Sequence, residues 1–358
     1  MKVTIVTTTI NIPIFLEGYQ KNAERFGHEV DYIVVGDKKT APGAAAFCES
    51  IPNCEYFNLV TQEHYLSRFP KLANHLPVNS VERRNVGMMR AYEQGADKII
   101  TLDDDNLATG CDMIGEHYVG SRYLQTYTSD SGWLNVCSFL KEENNIEFYH
   151  RGFPSKQRWT TPFVTKNYMA VNAVVNAGFW LDDPDVDAIT RLERRVRVTG
   201  YKPTWGEPIA LAPGTWTPFD CQNTALARKI IPAYFLSPYI GRHSDIFASY
   251  VINRLAEHFG DVIVFGGPLV LHSRHPHDLW KDLSAEREGM KLTDGFCDAL
   301  RLIQLDAKSY HKGFGQIIEG LYGWAEADDR RMTILKGMLY WHEAFETIRG
   351  MRRAICQK

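Results

Sequence analysis

The chain predicts an α/β protein with a mostly parallel central sheet and a helical C-terminal extension. Three observations predict it. Short β-branched runs, KVTIVTTT (2–9), VDYIVVGD (30–37) and KIITLDDDN (98–106), end in polar or acidic residues. Longer helix-compatible stretches, IFLEGYQKNAERFG (14–27) and SVERRNVGMMRAYEQGA (80–96), separate them. From about Ser284 onward, as in IIEGLYGWAEA and ILKGMLYWHEAFETIRGMRR, aliphatic and aromatic residues recur at helical spacing. Apolar strands alternating with helices imply a sheet covered on both faces, whose ligands bind at the carboxyl ends of the strands. Asp37 and Asp103 to Asp105 stand at such ends.

The middle of the chain is more irregular. SGWLNVCSF (131–139) and MAVNAVVNAGFWL (169–181) predict further strands, and DVDAITRLERRVR (185–197) a short helix followed by a basic segment. DIFASYVINRLAEHFG (245–260) has helical apolar spacing and ends on glycine. DVIVFGGPLVLHSRHPHDLW (261–280) combines a strand, a Gly-Gly-Pro break and a histidine-rich tail. The expected division is a domain over 1–285 and a helical extension over 286–358, without repeats or low-complexity linkers.

Composition narrows the function. Hydrophobic residues make up 44% and charged residues 23%, with a net charge of −3 and no basic block. Nucleic acid is therefore not an expected partner. No apolar run has the length of a membrane span, and the threonine-laced start reads as a first strand rather than a signal peptide. Seven cysteines, at 48, 54, 111, 137, 221, 297 and 356, include no close CxxC pair, so reduced thiols in a cytoplasmic protein are expected.

Asp103, Asp104 and Asp105 follow an apolar strand directly. Three adjacent carboxylates repel one another, and a hard cation such as Mn²⁺ or Mg²⁺ relieves that while leaving coordination sites for a diphosphate. A solvated turn is the alternative. If the strand persists, Asp103 and Asp105 share a face and Asp104 points away. Asp105 is then the better metal ligand, and Asp103 contacts ribose or metal. His272, immediately after an apolar strand, is either a third ligand or a core histidine; His275 and His277 read as exposed loop residues. Asp245, at the mouth of a helix, is a candidate acid or base, or a helix cap. Asp37 is a candidate for the base or ribose. RGFPSKQR (151–158) sets Arg151 and Arg158 around a Gly-Phe-Pro turn, in a chain that is not otherwise basic.

Together, TLDDDN, RGFPSKQR, GFWLDDPDVDAIT, GRHSD and LHS followed by DLWKDL resemble the reversibly glycosylated polypeptides, which include plant UDP-arabinopyranose mutases. The resemblance runs from about residue 80 to 285. It implies a GT-A-like, Rossmann-like nucleotide-sugar-binding domain and a Mn²⁺ or Mg²⁺ site at the aspartates, where the residue reading names Asp105 and Asp103, with His272 as the candidate third ligand. The implied partner is a nucleotide-diphosphate sugar, contacted by Asp37, Asp103, Asp104, Trp180, Asp185, Asp187 and Asn223. The first arginine of the family's RG(F/Y)P motif carries the reversible sugar attachment, which maps to Arg151; the second arginine needed for activity maps to Arg158. Trp180 is equally readable as core. The implied reaction interconverts pyranose and furanose forms of the sugar, of UDP-L-arabinose or bacterial GDP-L-fucose type. For Arg151 two roles stand open: a bond to the sugar, or a clamp on the diphosphate. A glycosyltransferase and a non-catalytic nucleotide-sugar-binding subunit are the alternative functions, and a homo-oligomer is expected.

Overall fold

A computed structural model describes residues 1–203 and 207–356, with side chains through residue 351. The strands are β1 (Val3–Thr8), β2 (Val30–Val35), β3 (Cys54–Phe57), β4 (Lys98–Leu102), β5 (Asn106–Ala108) and β6 (Gly120–Ser129). They continue with β7 (Leu140–Glu142), β8 (Val164–Asp182), β9 (Val198–Tyr201), β10 (Ile209–Leu211), β11 (Asn223–Ala227) and β12 (Val262–His272). The first helices are α1 (Leu16–Phe26), α2 (Ala44–Ser50), α3 (Leu59–Leu66), α4 (Pro70–His75), α5 (Arg84–Glu93) and α6 (Met113–Glu116). They are followed by α7 (Ala188–Glu193), α8 (Ser244–Phe259), α9 (Leu279–Leu302), α10 (Tyr310–Gly320), α11 (Tyr322–Ala325) and α12 (Asp329–Cys356).

One sheet organises the chain, in the order β3-β2-β1-β4-β11-β8-β6-β10-β12-β5, with β12 also pairing β8. Its N-terminal part is parallel, as the βαβ alternation requires: β1 lies between β2 and β4, and β3 flanks β2. Beyond β4 the sheet departs from the mostly parallel expectation. β11 runs antiparallel to both β4 and β8, and β6 antiparallel to β8. The sheet is mixed. For β4, β11 and the second half of β8 the physical reason the sequence misleads is that a strand buried on both faces reads as the same apolar run in either direction.

The long strand β8 has two halves. Residues 164–173 pair with β6 and are largely exposed, whereas residues 173–182 are mostly buried and pair with β12. The Gly-Gly-Pro of β12 is an irregularity within a continuing strand, with register shifts around Pro268. Residues 131–139 are not the strand expected: Val136–Phe139 forms a short 3₁₀ turn, because the Asn135 side chain accepts a hydrogen bond from Cys137 N and closes it.

Helix α8 sits under the sheet with most of its residues buried, and Gly260 ends it in the left-handed conformation. Helix α9 packs on α8 and α7, and α12 packs on α4. Trp341, Phe345 and Phe296 thereby join the same hydrophobic core as Ile5, Val6 and Ile100. Residues 286–356 are thus helical from within α9 onward and bury apolar surface against the sheet domain. The six cysteines from Cys48 to Cys297 are free thiols; the Cys356 side chain lies outside the described residues. Among the described residues no helix is long and apolar enough to cross a membrane.

Candidate active site

The carboxyl ends of β1, β2 and β4 open onto two adjoining cavities. The first, about 550 Å³, is lined by Thr8 to Asn11, Asp37, Lys39, Arg83, Asp104, His275 and His277, among others. The second, about 580 Å³, is lined by Arg84, Asp103, Arg151, Cys221, Arg242 and Asp245, among others. Asn79, Ser80 and Val81 line both, so the cavities share a wall.

The acidic triplet spans that wall. Strand β4 stops at Leu102, and Asn106 N donates to the Asp103 carbonyl, so residues 103–106 turn instead of staying extended. The expected alternation therefore fails, and the three carboxylates take three sets of partners. Asp103 receives a short ion pair from the buried Arg84. Asp104 accepts hydrogen bonds from Thr9 at 2.6 Å and Asn11 at 3.2 Å, with His275 3.5 Å away. Asp105 meets His272 Nε2 at 3.2 Å. Burial would raise Asp105, but His272 outweighs it and holds the carboxyl below its ordinary value. Burial likewise opposes the charge on His272, and the Asp105 hydrogen bond overcomes it, raising the imidazole.

Arg151 forms the floor of the second cavity. Gly152 makes this possible: its φ is +78°, and a Cβ there would stand 2.3 Å from Ile246 Cγ2. The turn closes on α8, with Tyr250 donating to the Gly152 carbonyl at 2.6 Å. Arg151 Nε donates to Asp185 at 2.9 Å, and its Nη atoms reach Asp245 at 3.1 and 3.0 Å. A further Nη contact reaches Asp185 at 2.8 Å, and the Arg242 carbonyl accepts the remaining short bond. Four of the guanidinium's five N–H groups are therefore hydrogen-bonded to protein acceptors, and the fifth stands in ion-pair contact with Asp185. Burial works against the charge, but Asp185 and Asp245 outweigh it and raise the Arg151 pKa well above its usual value. Arg151 in turn overrides the burial that would raise Asp185 and Asp245, and holds both below the usual carboxylate range.

Behind Arg151 lies a second buried layer. His150 Nε2 is 3.4 Å from Asp220 Oδ2, and both residues are almost wholly buried. Burial pushes Asp220 up to about 6. Asp220 overcomes the burial that would lower His150, so that imidazole is raised. Three carboxylates, Asp185, Asp220 and Asp245, surround one arginine and one histidine here; the upward shifts of His150 and Asp220 both favour protonation, which would limit the uncompensated negative charge.

The other sequence candidates separate into those at the cleft and those beneath it. Asp37 is at the cleft, accepting from Ser80 N at 3.0 Å. Asp245 is in the first turn of α8. Asp187 caps α7 and is paired with Arg158, which lines neither cavity. The two pairs Arg151–Asp185 and Arg158–Asp187 thus staple the 151–158 loop to the segment before α7. Trp180, 2% exposed, packs against Phe179 and His150 and is core. Asn223 lies within the sheet, its side chain bonded to His117 and to the Phe179 carbonyl. The structure brings neither Trp180 nor Asn223 to the cleft. It adds Arg84, Thr9, Asn11 and Ser80, which the sequence reading passed over, and brings His275, read as an exposed loop residue, to the cavity lining; the Arg83–Arg84 pair at the start of α5 was the available signal.

Gly152→Ala is expected to lower the unfolding free energy by about 2 kcal/mol or more, since it adds left-handed strain to a steric clash. Urea unfolding reads this out, and a wild-type midpoint would contradict the assigned turn.

The mixed α/β fold thus carries a double cleft at its strand ends, lined by carboxylates and by arginines. No family model matches the chain. The chain is related by sequence to UDP-arabinopyranose mutases, as the motif resemblance implied. It is 32% identical over 111 residues to UDP-arabinopyranose mutase 1 of Arabidopsis thaliana, covering 29% of this chain and 30% of that protein. It is 24% identical over 186 residues to UDP-arabinopyranose mutase 3 of the same plant, covering 49% and 50%. It is 33% identical over 107 residues to a probable UDP-arabinopyranose mutase 2 of Solanum tuberosum, covering 28% of each. The matches thus span half or less of the length of these curated relatives.

Proposed function

We propose that this chain is a nucleotide-sugar mutase that interconverts pyranose and furanose forms of a UDP-L-arabinose-type substrate on a GT-A-type fold. The observation that carries the reading is the pair of adjoining cavities, with consecutive aspartates on either side of their shared wall. Asp104 and Asp37 line the cavity suited to the nucleoside; Asp103, Arg84 and Arg151 line the one suited to the sugar. Each volume falls in the range of small-molecule sites.

A Mn²⁺ or Mg²⁺ ion would be held by Asp105 and His272, which already meet, and by Asp103 only once its carboxylate leaves Arg84; the buried Asn106 Oδ1 next to Asp105 has no partner among the described residues. When bound, the ion supplies positive charge to the diphosphate leaving group.

The chain's own residues leave both roles of Arg151 open. A clamp needs free N–H donors, and most of those of Arg151 are engaged, whereas a nucleophile needs an uncharged nitrogen, and Asp185 and Asp245 hold the guanidinium charged. In the covalent reading the C1–O bond to the diphosphate breaks and its electron pair leaves on the diphosphate oxygen. An Arg151 Nη nitrogen bonds C1, and the proton it sheds passes to Asp245. The modified guanidinium stays cationic, and Asp185 continues to balance it. The ring then opens and closes through the alternative hydroxyl before the diphosphate returns.

Incubation with Mn²⁺ and UDP-L-arabinopyranose, with GDP-L-fucose as a parallel arm, is expected to give the UDP-furanose product by chromatography and NMR. Binding of both nucleotide sugars with each remaining purely pyranose would sink the proposal. Release of free nucleotide only when an acceptor is added would support a glycosyltransferase instead. A homo-oligomer belongs to the same proposal, and light scattering of the purified chain tests it.

Acid sensitivity follows from the buried ion pairs. Asp105, Asp185, Asp187 and Asp245 are all held below their ordinary range. A lowered carboxylate contributes stability that is complete above its unfolded pKa of about 3.9 and is lost as pH falls through the folded value. The contribution of these four carboxylates to stability is therefore expected to hold from pH 7 to about 5 and to fall steeply below about 4. The melting-temperature deficit of Asp187→Asn, which keeps the helix cap, should shrink over the same descent. An unchanged deficit at pH 3 would show that the pair with Arg158 contributes nothing ionic.

A further inference from the structure

We propose that His311, His342 and Glu346 form a binding site for a late first-row transition-metal ion, with Zn²⁺ the expected occupant, at the seam between α10 and α12. The site is separate from the cleft and independent of the mutase reading.

His342 and Glu346 are four residues apart on α12, which sets them on one face of the helix. His311 faces them from the first turn of α10. One ligand-capable atom from each of the three lies within 4.8 Å of the other two. His311 Nε2 is 2.5 Å from Glu346 Oε1. The two imidazoles stack with centroids 4.1 Å apart and planes at 17°. Gly315, one turn beyond His311, leaves room for the His342 ring: a Cβ there would stand 3.2 and 3.3 Å from its Cε1 and Nε2.

Three further properties point to a cation rather than to a mere helix contact. The Nδ1 atoms of both rings are buried and have no hydrogen-bond partner among the described residues, so each ring has unmet capacity. Burial lowers both imidazoles, His342 to about 4, and the hydrogen bond from His311 lowers Glu346. A divalent ion binds the deprotonated form of each group, so these directions favour it over a proton. The carboxylate side of the cluster is open, with the Glu346 side chain 48% exposed, which provides an entry path and a position for water.

Two imidazoles and one carboxylate suit Zn²⁺ and its late transition-metal neighbours better than Mg²⁺. Tetrahedral ligands at about 2.1 Å from the ion stand about 3.4 Å from one another. The His311–Glu346 hydrogen bond must therefore open by roughly an ångström and the wider separations must close, movements within reach of side-chain rotation. Lys312, 3.5 Å from Glu346, gives up its ion pair on binding.

The test uses the full chain, stripped of metal and titrated with Co²⁺ as a spectroscopic substitute for Zn²⁺. One equivalent is expected to produce the visible absorption of a four- or five-coordinate ion, to raise the melting temperature and to be displaced by Zn²⁺. Glu346→Gln, at an exposed position, and His342→Gln should each weaken Co²⁺ binding at least tenfold while keeping the wild-type circular dichroism. Asp105→Asn, in the cleft, should leave the absorption intact. Absence of the bands, their persistence in Glu346→Gln, or their loss in Asp105→Asn would overturn the site.

Discussion

Arg151→Lys is expected to reduce turnover at least 100-fold and to lower the unfolding free energy by about 3 kcal/mol. The first effect follows from geometry. Arginine spans Asp185, Asp245 and the Arg242 carbonyl at once because its donors lie in a rigid plane. Lysine presents three donors from one nitrogen and cannot reach all three acceptors. The stability loss follows from what remains: removing one partner of a buried ion pair leaves a carboxylate desolvated and unpaired, at a typical cost of about 3–5 kcal/mol. Lysine keeps the charge, which places the expectation at the lower end. Asp245→Asn in the Arg151→Lys background should cost less than the sum of the two single changes, because one stranded carboxylate is gone. Urea unfolding of the four proteins measures this. Additive losses would deny the coupling, and a lysine variant with a tenth of the wild-type rate would assign Arg151 the role of a phosphate clamp.

The sequence displayed the site's acids more clearly than its geometry. Asp37, Asp103 to Asp105 and Asp245 were legible because each stands where a β-branched run ends or a helix begins, and a chain end of that kind is set by local pattern. His272 was legible for the same reason. The pairing of Arg151 with Asp185 and Asp245 was not, since its partners lie 34 and 94 residues away and only the fold joins them. The direction of β11 and of the second half of β8 was hidden because burial on both faces erases the alternation that would distinguish an antiparallel, half-solvated strand. Residues 131–139 carry strand-like side chains, but the Asn135 side chain captures Cys137 N and turns the chain first. Trp180 shows the converse: its composition fits either a sugar platform or a core, and packing against Phe179 and His150 decides for the core.

Arg84 was the least legible residue of the site, and its replacement carries the second large expected effect. A charged residue in a helix normally faces water. Arg84 is instead 1% exposed, and its Nη atoms donate to the Leu102 carbonyl at 3.2 Å, the Cys221 carbonyl at 2.9 Å and the Asp103 carboxylate. It thereby ties α5 to the end of β4 and to the segment before β11, and holds Asp103 on the wall of the second cavity. Arg84→Met preserves much of the aliphatic stem and removes the charge. It strands Asp103 and two carbonyls, so the expected loss is about 3–5 kcal/mol in unfolding free energy. Adding Asp103→Asn should recover part of that stability by removing the stranded charge, without recovering activity, because Asp103 itself belongs to the cleft. Chemical unfolding alongside the furanose assay separates the two effects. If Arg84→Met were to unfold like the wild type, the buried pair would not organise the cleft. Full activity in the double variant would remove Asp103 from the proposed site.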